Sequence, residues 1–239
     1  MENSIEIPEH LISGGEAITI NLIGVGGTGS WVLGDLIALH HYLVETGRLG
    51  LKVRAYDPDI VTEANLGRQN FNSADLNENK AVALVEKYNR YWGLNWEGIP
   101  EEFSAAHKQA NITICCVDSI ESRRKIIEAI RIRKKRAYDD SEYPHFLIDC
   151  GNGYDYGQII VTPLWESGHK TFLDYFPDQK ENITEPSCSV LESLGKQNLF
   201  INKFMANLAV NWLYEGIRNT EQSNLGYFFN LNSLKPIYL

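Results

Sequence analysis

The feature that most constrains the fold is the stretch Ile20-Asn21-Leu22-Ile23-Gly24-Val25-Gly26-Gly27-Thr28-Gly29-Ser30. An apolar run of strand length breaks into a glycine turn, and a helical pattern over 31–45 follows at once. That order is strand, tight turn, helix N-terminus. Gly24, Gly26 and Gly29 let the backbone turn sharply and approach a ligand closely, and Gly27 removes one more side chain from that approach. The unpaired N–H groups that open the helix face an anion, so the turn suits phosphate. It is not the P-loop pattern, because Ser30 stands where the lysine should be. A triphosphate held here takes its cation from elsewhere.

Composition narrows the function classes. A formal charge of −9 argues against a general nucleic-acid binder, which would show a basic balance or a basic face. Charges or Gly interrupt every apolar stretch before it reaches membrane-spanning length, and residues 1–15 are acidic rather than leader-like. The expectation is a cytoplasmic protein with no membrane partner. Cys115, Cys116, Cys150 and Cys188 are too scattered for a disulfide framework and form no C-x-x-C pair, so reduced thiols and no zinc are expected. Cys115 and Cys116 read as core residues inside a strand, and Cys150 as structural.

Taken in order, residues 1–16 read as a lead-in with one short element. A helix over 28–45 leads to a strand over 51–56 that ends in Asp57-Pro58-Asp59. In dinucleotide folds an acidic residue at the tip of this second strand binds the ribose hydroxyls, and Asp57 holds that place; the same tripeptide is also turn chemistry. A polar, turn-rich stretch over 61–70 precedes a helix over 79–91, a short strand over 95–99 and a turn or short helix over 103–109. An apolar strand over 112–117 stops at Asp118, and Ser119 caps a helix over 119–136 whose basic end, 131–136, reads as solvated. Strands over 146–149 and 158–162 follow. The β-α-β-α-β-α-β-β order calls for an α/β fold of Rossmann-like, doubly wound design, its mostly parallel sheet carrying an antiparallel extension. Residues 163–189 read as an irregular crossing segment, and 190–239 as a C-terminal helix over 190–217 and a hairpin of strands over 226–231 and 234–239.

Five motifs occur together in a fixed order: Gly24-Val25-Gly26-Gly27-Thr28-Gly29, Asp57-Pro58-Asp59, Asn65-Leu66-Gly67-Arg68-Gln69, Lys80, and Cys116-Val117-Asp118. In order and spacing they resemble the ThiF/MoeB/HesA superfamily, the adenylating enzymes that activate ubiquitin-like and sulfur-carrier proteins. The resemblance covers about residues 17–162. With Gly93-Leu94-Asn95-Trp96-Glu97 and Ser187-Cys188-Ser189 added, the chain looks most like the ThiF-related member of the bacterial PRTRC cassette. The resemblance implies a single ThiF-like adenylation domain over 1–239, ATP and Mg²⁺ as cofactors, a small ubiquitin-like carrier protein as partner, and a homodimer. It also implies site roles. Gly24, Gly26, Gly27 and Gly29 line the phosphates and Asp57 binds the ribose. Asn65, Arg68, Gln69 and Lys80 surround the triphosphate, Asp118 organises magnesium and the reacting carboxylate, and Arg123 matches an arginine of the following helix.

The chemistry agrees with those roles. Attack of a carboxylate on the α-phosphorus builds charge on phosphate oxygens and needs no protein nucleophile, so fixed cations and magnesium are the main requirement. Arg68 and Lys80 supply the cations that the missing P-loop lysine does not, and the hard oxygens of Asp118 suit Mg²⁺. Two departures stand out. The first arginine in the chain is Arg48, whereas many relatives place one near the N-terminus that reaches the partner subunit's site. The two zinc-binding C-x-x-C pairs of many relatives are also missing. Cys188 lies roughly where thioester- or persulfide-forming relatives keep their cysteine, just ahead of a helix whose dipole lowers thiol pKa; it reads equally as a small buried apolar residue. Two other functions compete with carrier activation. One is a catalytically reduced nucleotide-binding scaffold of a bacterial cassette, and the other an NAD-dependent oxidoreductase, which leaves Arg68, Gln69, Lys80 and Asp118 unexplained.

Overall fold

The structure is a computed structural model that describes residues 5–134, 143–165, 168–178 and 198–239. The lead-in folds as a two-residue strand, β1 (Ile5–Glu6), and a short helix, α1 (Glu9–Ser13). The central sheet then begins with β2 (Ile18–Ile23), the glycine loop, α2 (Gly27–Glu45) and β3 (Leu51–Tyr56). Next come α3 (Lys80–Trp92), β4 (Glu97–Ile99), β5 (Ile112–Cys115), α4 (Ile120–Lys134), β6 (Phe146–Asn152) and β7 (Tyr156–Pro163). The chain ends with α5 (Phe172–Tyr175), α6 (Ile201–Asn219), β8 (Glu221–Gln222), β9 (Gly226–Asn230) and β10 (Ile237–Tyr238).

Eight strands form one sheet in the order β10-β9-β7-β6-β5-β2-β3-β4. Strands β4, β3, β2, β5 and β6 are parallel, and β7, β9 and β10 extend the sheet antiparallel. This is the Rossmann-like sheet with an antiparallel extension that the element order called for. Helices pack on both faces of the central strands, so β5 and β6 are buried along almost their whole length, whereas β3 alternates buried Leu51 and Val53 with exposed Lys52 and partly buried Arg54. Ile20, Leu22, Ile112 and Ile114 are fully buried between the helices. Along α6, Ile201, Met205, Ala209, Trp212 and Leu213 face the core at helical spacing, and α6 packs on α2. Each buried Leu- or Ile-sized side chain contributes roughly 1.5–3 kcal/mol.

Two boundaries near the cleft differ from the sequence reading. β5 stops at Cys115 rather than 117, since the chain turns away to start α4 after Cys116 N–H makes its bond to Ile23 C=O at 2.8 Å. β6 runs on to Asn152 rather than 149, because its last residues pair with β7 down to Asn152 opposite Gly157. β1 pairs antiparallel with β8, tying the lead-in to the end of α6. Of the crossing segment, 168–178 contains α5, while 166–167 and 179–189 lie outside the described residues. Of the expected helix over 190–217, residues 190–197 lie outside the described residues, 198–200 form a turn, and α6 begins at Ile201 and runs on to Asn219. The terminal hairpin is present as β9 and β10. Among the described residues no helix is long and apolar enough to cross a membrane.

At the end of the sheet away from the glycine loop, His145 stacks on His10 of α1 with ring centroids 4.2 Å apart, between Tyr143 and Trp165. Neither ring nitrogen of His145 has a hydrogen-bond partner among the described residues. Burial, helped by the neighbouring His10, pushes its pKa down to about 4. An unfolded imidazole titrates near pH 6.5, so the unfolded chain takes up this proton first. The native state therefore loses stability as pH falls from about 6.5 toward about 4. His145→Phe should flatten that decline in the thermal midpoint, followed by circular dichroism across this range. A variant that declines as steeply as the wild type would remove His145 from the account.

Candidate functional site

A cleft of about 530 Å³ opens at the carboxyl ends of β2, β3 and β5, where open α/β sheets gather ligands. Gly24, Gly26 and Gly27 of the loop lie on its wall. Two of the loop glycines are demanded by packing. Gly24 has φ +85°, and a Cβ there would stand 3.0 Å from the Cys116 carbonyl; one on Gly29 would stand 1.9 Å from Gly24 O. Gly26, the N-cap of α2, is different, since a Cβ there would meet nothing within 4 Å. Its missing side chain is space in the cleft rather than room for protein atoms. The Asp57 carboxylate braces the same loop: Oδ2 accepts from Val25 N–H at 2.6 Å and Oδ1 from Asp59 N–H at 2.9 Å. Burial raises the pKa of Asp57, opposed by Lys80 and these two N–H groups.

The cations reach the cleft from two directions. Asn79 caps α3 by accepting from Val82 N–H, and its amide donates to the carbonyls of Asp57 at 2.8 Å and Asp59 at 3.0 Å. Lys80 is thereby set at the cleft with Nζ 2.8 Å from Asp59 Oδ2. Because the Asp59 side chain is 66% exposed, this pair is worth at most about 1 kcal/mol, and the ammonium is easily re-partnered. Arg68 enters from the turn after Gly67, whose φ is +77°. Burial lowers its pKa from the ordinary arginine value. Gln69 beside it is buried, lines the cleft, and has an amide oxygen with no hydrogen-bond partner among the described residues. Asn65 does not line the cleft: its Oδ1 accepts from Thr62 N–H at 2.8 Å in a capping box.

Asp118 is exposed on the cleft wall after β5. The capping duty at α4 falls to Ser119, whose Oγ accepts from Ser122 N–H at 3.0 Å. Arg123 also lines the cleft, but its guanidinium is committed. Nε donates to Asp149 Oδ1 at 2.9 Å, NH2 to Cys150 O at 3.0 Å and NH1 to Asp118 O at 3.4 Å, and Phe172 lies 4.6 Å beneath the charge. Burial works against the Arg123 charge, yet Asp149 outweighs it and the pKa rises. Removing one partner of such a buried pair typically costs about 3–5 kcal/mol, so Arg123 acts as a fixed brace of the Asp118 backbone. Cys115 is core, whereas Cys116 is half-buried and lines the cleft, which corrects its reading as core. Cys188 lies outside the described residues.

The opposite wall contains residues that sequence reasoning missed. Thr28 Oγ1 lies 3.1 Å from Asn152 Oδ1 on β6 and 3.2 Å from Asn202 Oδ1 on α6. Asn202 Oδ1 would be 2.6 Å from a Cβ on Gly27. Nothing local in the sequence marks these asparagines, which reach the loop across separations of 124 and 174 residues. Asp149 escaped notice because an aspartate inside an apolar strand becomes informative only once its arginine is known.

These residues fit a magnesium-bound triphosphate. The loop leaves a cradle at Gly26, Gln69 offers a buried amide, and Arg68 and Lys80 bring charge. No group of three His, Cys, Asp or Glu able to hold a metal occurs among the described residues. Mg²⁺ does not require one, since it is usually held by one or two carboxylates together with phosphate oxygens and water. Asp59, Glu101, Glu102 and Asp118 are exposed carboxylates that line the cleft.

Sheet order and cleft position place the protein in the Rossmann-like class of α/β folds. The sequence profile of the ThiF family matches residues 12–238, and the chain belongs to the ThiF family. No curated protein sequence matches it. Among solved structures, E. coli MccB with ATP superposes with a TM-score of 0.65 at 14% identity, covering 96% of this chain and 65% of that one. E. coli MccB with MccA-N7isoASN gives 0.63 at 16% identity, with 96% and 66% covered. PaaA gives 0.59 at 18% identity, with 93% and 63% covered. The chain thus spans just under two thirds of the length of these structures, and the likeness is one of fold.

The two kinds of loop glycine should separate experimentally. Gly29→Ala overpacks the turn and is predicted to lower stability by about 1–3 kcal/mol in urea unfolding. Gly26→Ala should cost less stability than that while weakening ATP binding. Equal destabilisation by both substitutions would contradict the distinction.

Proposed function

We propose that the protein adenylates a carboxylate of a partner polypeptide at the expense of ATP. The substrate in this reading is the C-terminal carboxylate of a small ubiquitin-like or sulfur-carrier protein, and the whole chain serves as one adenylation domain that works as a homodimer. The observation that carries the reading is the meeting, in one cleft, of a glycine loop open at Gly26, the cations of Arg68 and Lys80, and the exposed carboxylate of Asp118. Family membership and the fold of MccB, solved with ATP, support it.

In the reaction a carboxylate oxygen bonds to the α-phosphorus and the bond from that phosphorus to the pyrophosphate oxygen breaks, giving an acyl adenylate and pyrophosphate. The N–H groups at the start of α2 bind phosphate oxygens and hold the chain in line. Lys80 leaves Asp59 for the triphosphate, and Arg68 neutralises charge on the departing pyrophosphate. Asp57 orients the ribose through the turn that its carboxylate fixes, Gln69 adds a polar contact, and Asp118 orients the incoming carboxylate. Magnesium, when bound, offsets phosphate charge from a position Asp118 can reach. A second step would move the acyl group to the Cys188 thiolate as a thioester, releasing AMP.

Two measurements test this. ATP·Mg²⁺ should raise the thermal midpoint, and Asp118→Ala should weaken the rise; a ligand at a hundredfold excess over Kd stabilises by about 2.7 kcal/mol. Stabilisation by NAD in place of ATP would move the protein to the oxidoreductases, and no response to any nucleotide would leave only a scaffold. For the second step, Cys188→Ser should still form the adenylate but no thiol-labile adduct with the carrier. Persistence of that adduct would rule out Cys188 as the acceptor.

A further inference from the structure

The turn carrying Arg68 and Gln69 is clipped to the first turn of α2 by contacts that the proposed reaction leaves unused. Trp31 donates its indole Nε1–H to the Arg68 carbonyl at 3.2 Å. One residue earlier, the buried Ser30 Oγ accepts from Asn70 N–H at 3.0 Å and donates to Gly27 C=O at 3.1 Å. The Asn70 amide reaches back to Ser30 C=O at 3.4 Å and donates to Tyr88 Oη of α3 at 2.7 Å. Lys203 of α6 covers the Trp31 ring, with Nζ 4.8 Å from its centroid. Three pieces of chain, α2, the turn and α6, therefore meet at Ser30 and Trp31, and α3 joins them through Asn70.

The consequence concerns Arg68. Its side chain is long and rotamer-rich, and its turn hinges on Gly67 at positive φ, which leaves the backbone loose unless something holds it. Trp31 holds the carbonyl of Arg68, and Ser30 holds the N–H of Asn70, two residues further on. Both clips spring from the helical turn whose opening N–H groups face the cleft. The loop and the backbone of Arg68 are consequently fixed to one another, which limits the reorganisation that a charge carried on this turn must undergo.

We propose that Trp31 is a positioning residue for Arg68, setting the distance between its guanidinium and the glycine loop through the indole N–H, with Ser30 as the second clip. The inference rests on the reading that a triphosphate occupies the cleft. Trp31 itself does not line the cleft. Its effect is confined to nucleotides that reach Arg68, which the family pattern puts around the triphosphate rather than the nucleoside.

Trp31→Phe keeps an aromatic ring under Lys203 and removes the N–H along with part of the indole's bulk; Ser30→Ala removes the other clip without touching the ring, in case the first variant folds poorly. The measurements are Kd for ATP·Mg²⁺ and for AMP by titration calorimetry, with the ligand-free thermal midpoint of each protein. Losing one neutral hydrogen bond should weaken ATP binding about three- to tenfold. AMP binding should stay within about twofold, and the midpoint close to that of the wild type. Unchanged ATP affinity in both variants, or an equal loss for ATP and AMP, would overturn the positioning role. A wild type that binds AMP but not ATP would overturn the triphosphate reading itself, and that failure appears in the wild-type arm alone.

Discussion

The 2.6 Å hydrogen bond from Val25 N–H to the buried Asp57 carboxylate is the interaction on which the site depends. It joins the loop that leaves β2 to the tip of β3, two strands already locked in parallel register from Ile18 opposite Leu51 to Ile23 opposite Tyr56. The same carboxylate accepts Asp59 N–H, which shapes the turn from which Asp59 reaches Lys80. The position of Lys80 and the shape of the glycine loop both follow from one buried acceptor. Desolvating that carboxylate is costly, and the two N–H donors and the nearby ammonium offset the cost.

The charges around the cleft divide by how tightly they are held. Lys80 is paired with an exposed aspartate and can change partner cheaply. Arg123 is paired with a fully buried one and crosses to two backbone carbonyls, so moving it would strand a charge in the protein interior. The first suits a group that must meet a ligand, and the second a group that must hold a loop still. Arg68 stands between them, movable along its side chain but fixed at its backbone by Trp31.

Much of this was legible in the sequence because it is local. The strand over 51–56, the helix following the glycines and the Asp118-Ser119 break after an apolar run are set by spacing within a few residues, and they stand where spacing puts them. Gly24 and Gly29 could be read as turn residues, but not the reason each is needed, since a Cβ on Gly24 would meet the Cys116 backbone at the end of the neighbouring strand and one on Gly29 would meet the Gly24 carbonyl. Asn65 looked like a ligand in motif order, whereas its side chain spends its oxygen on Thr62. What stayed hidden is long-range: the pairing of β1 with β8, Asn202 reaching Thr28 from α6, and Asp149 waiting for Arg123. Two-residue ladders and single polar side chains leave no periodic trace, so only the folded chain brings them together.

The central claim is that the cleft holds a triphosphate with its phosphates on the glycine loop. A crystal structure with a non-hydrolysable ATP analogue and Mg²⁺ tests it most directly. The account predicts phosphate oxygens on the N–H groups that open α2, Lys80 turned from Asp59 onto the triphosphate, Arg68 beside the β- and γ-phosphates, and Arg123 still on Asp149. A nucleotide bound with its base against the loop, or with Lys80 left on Asp59 and Arg68 turned to solvent, would contradict it.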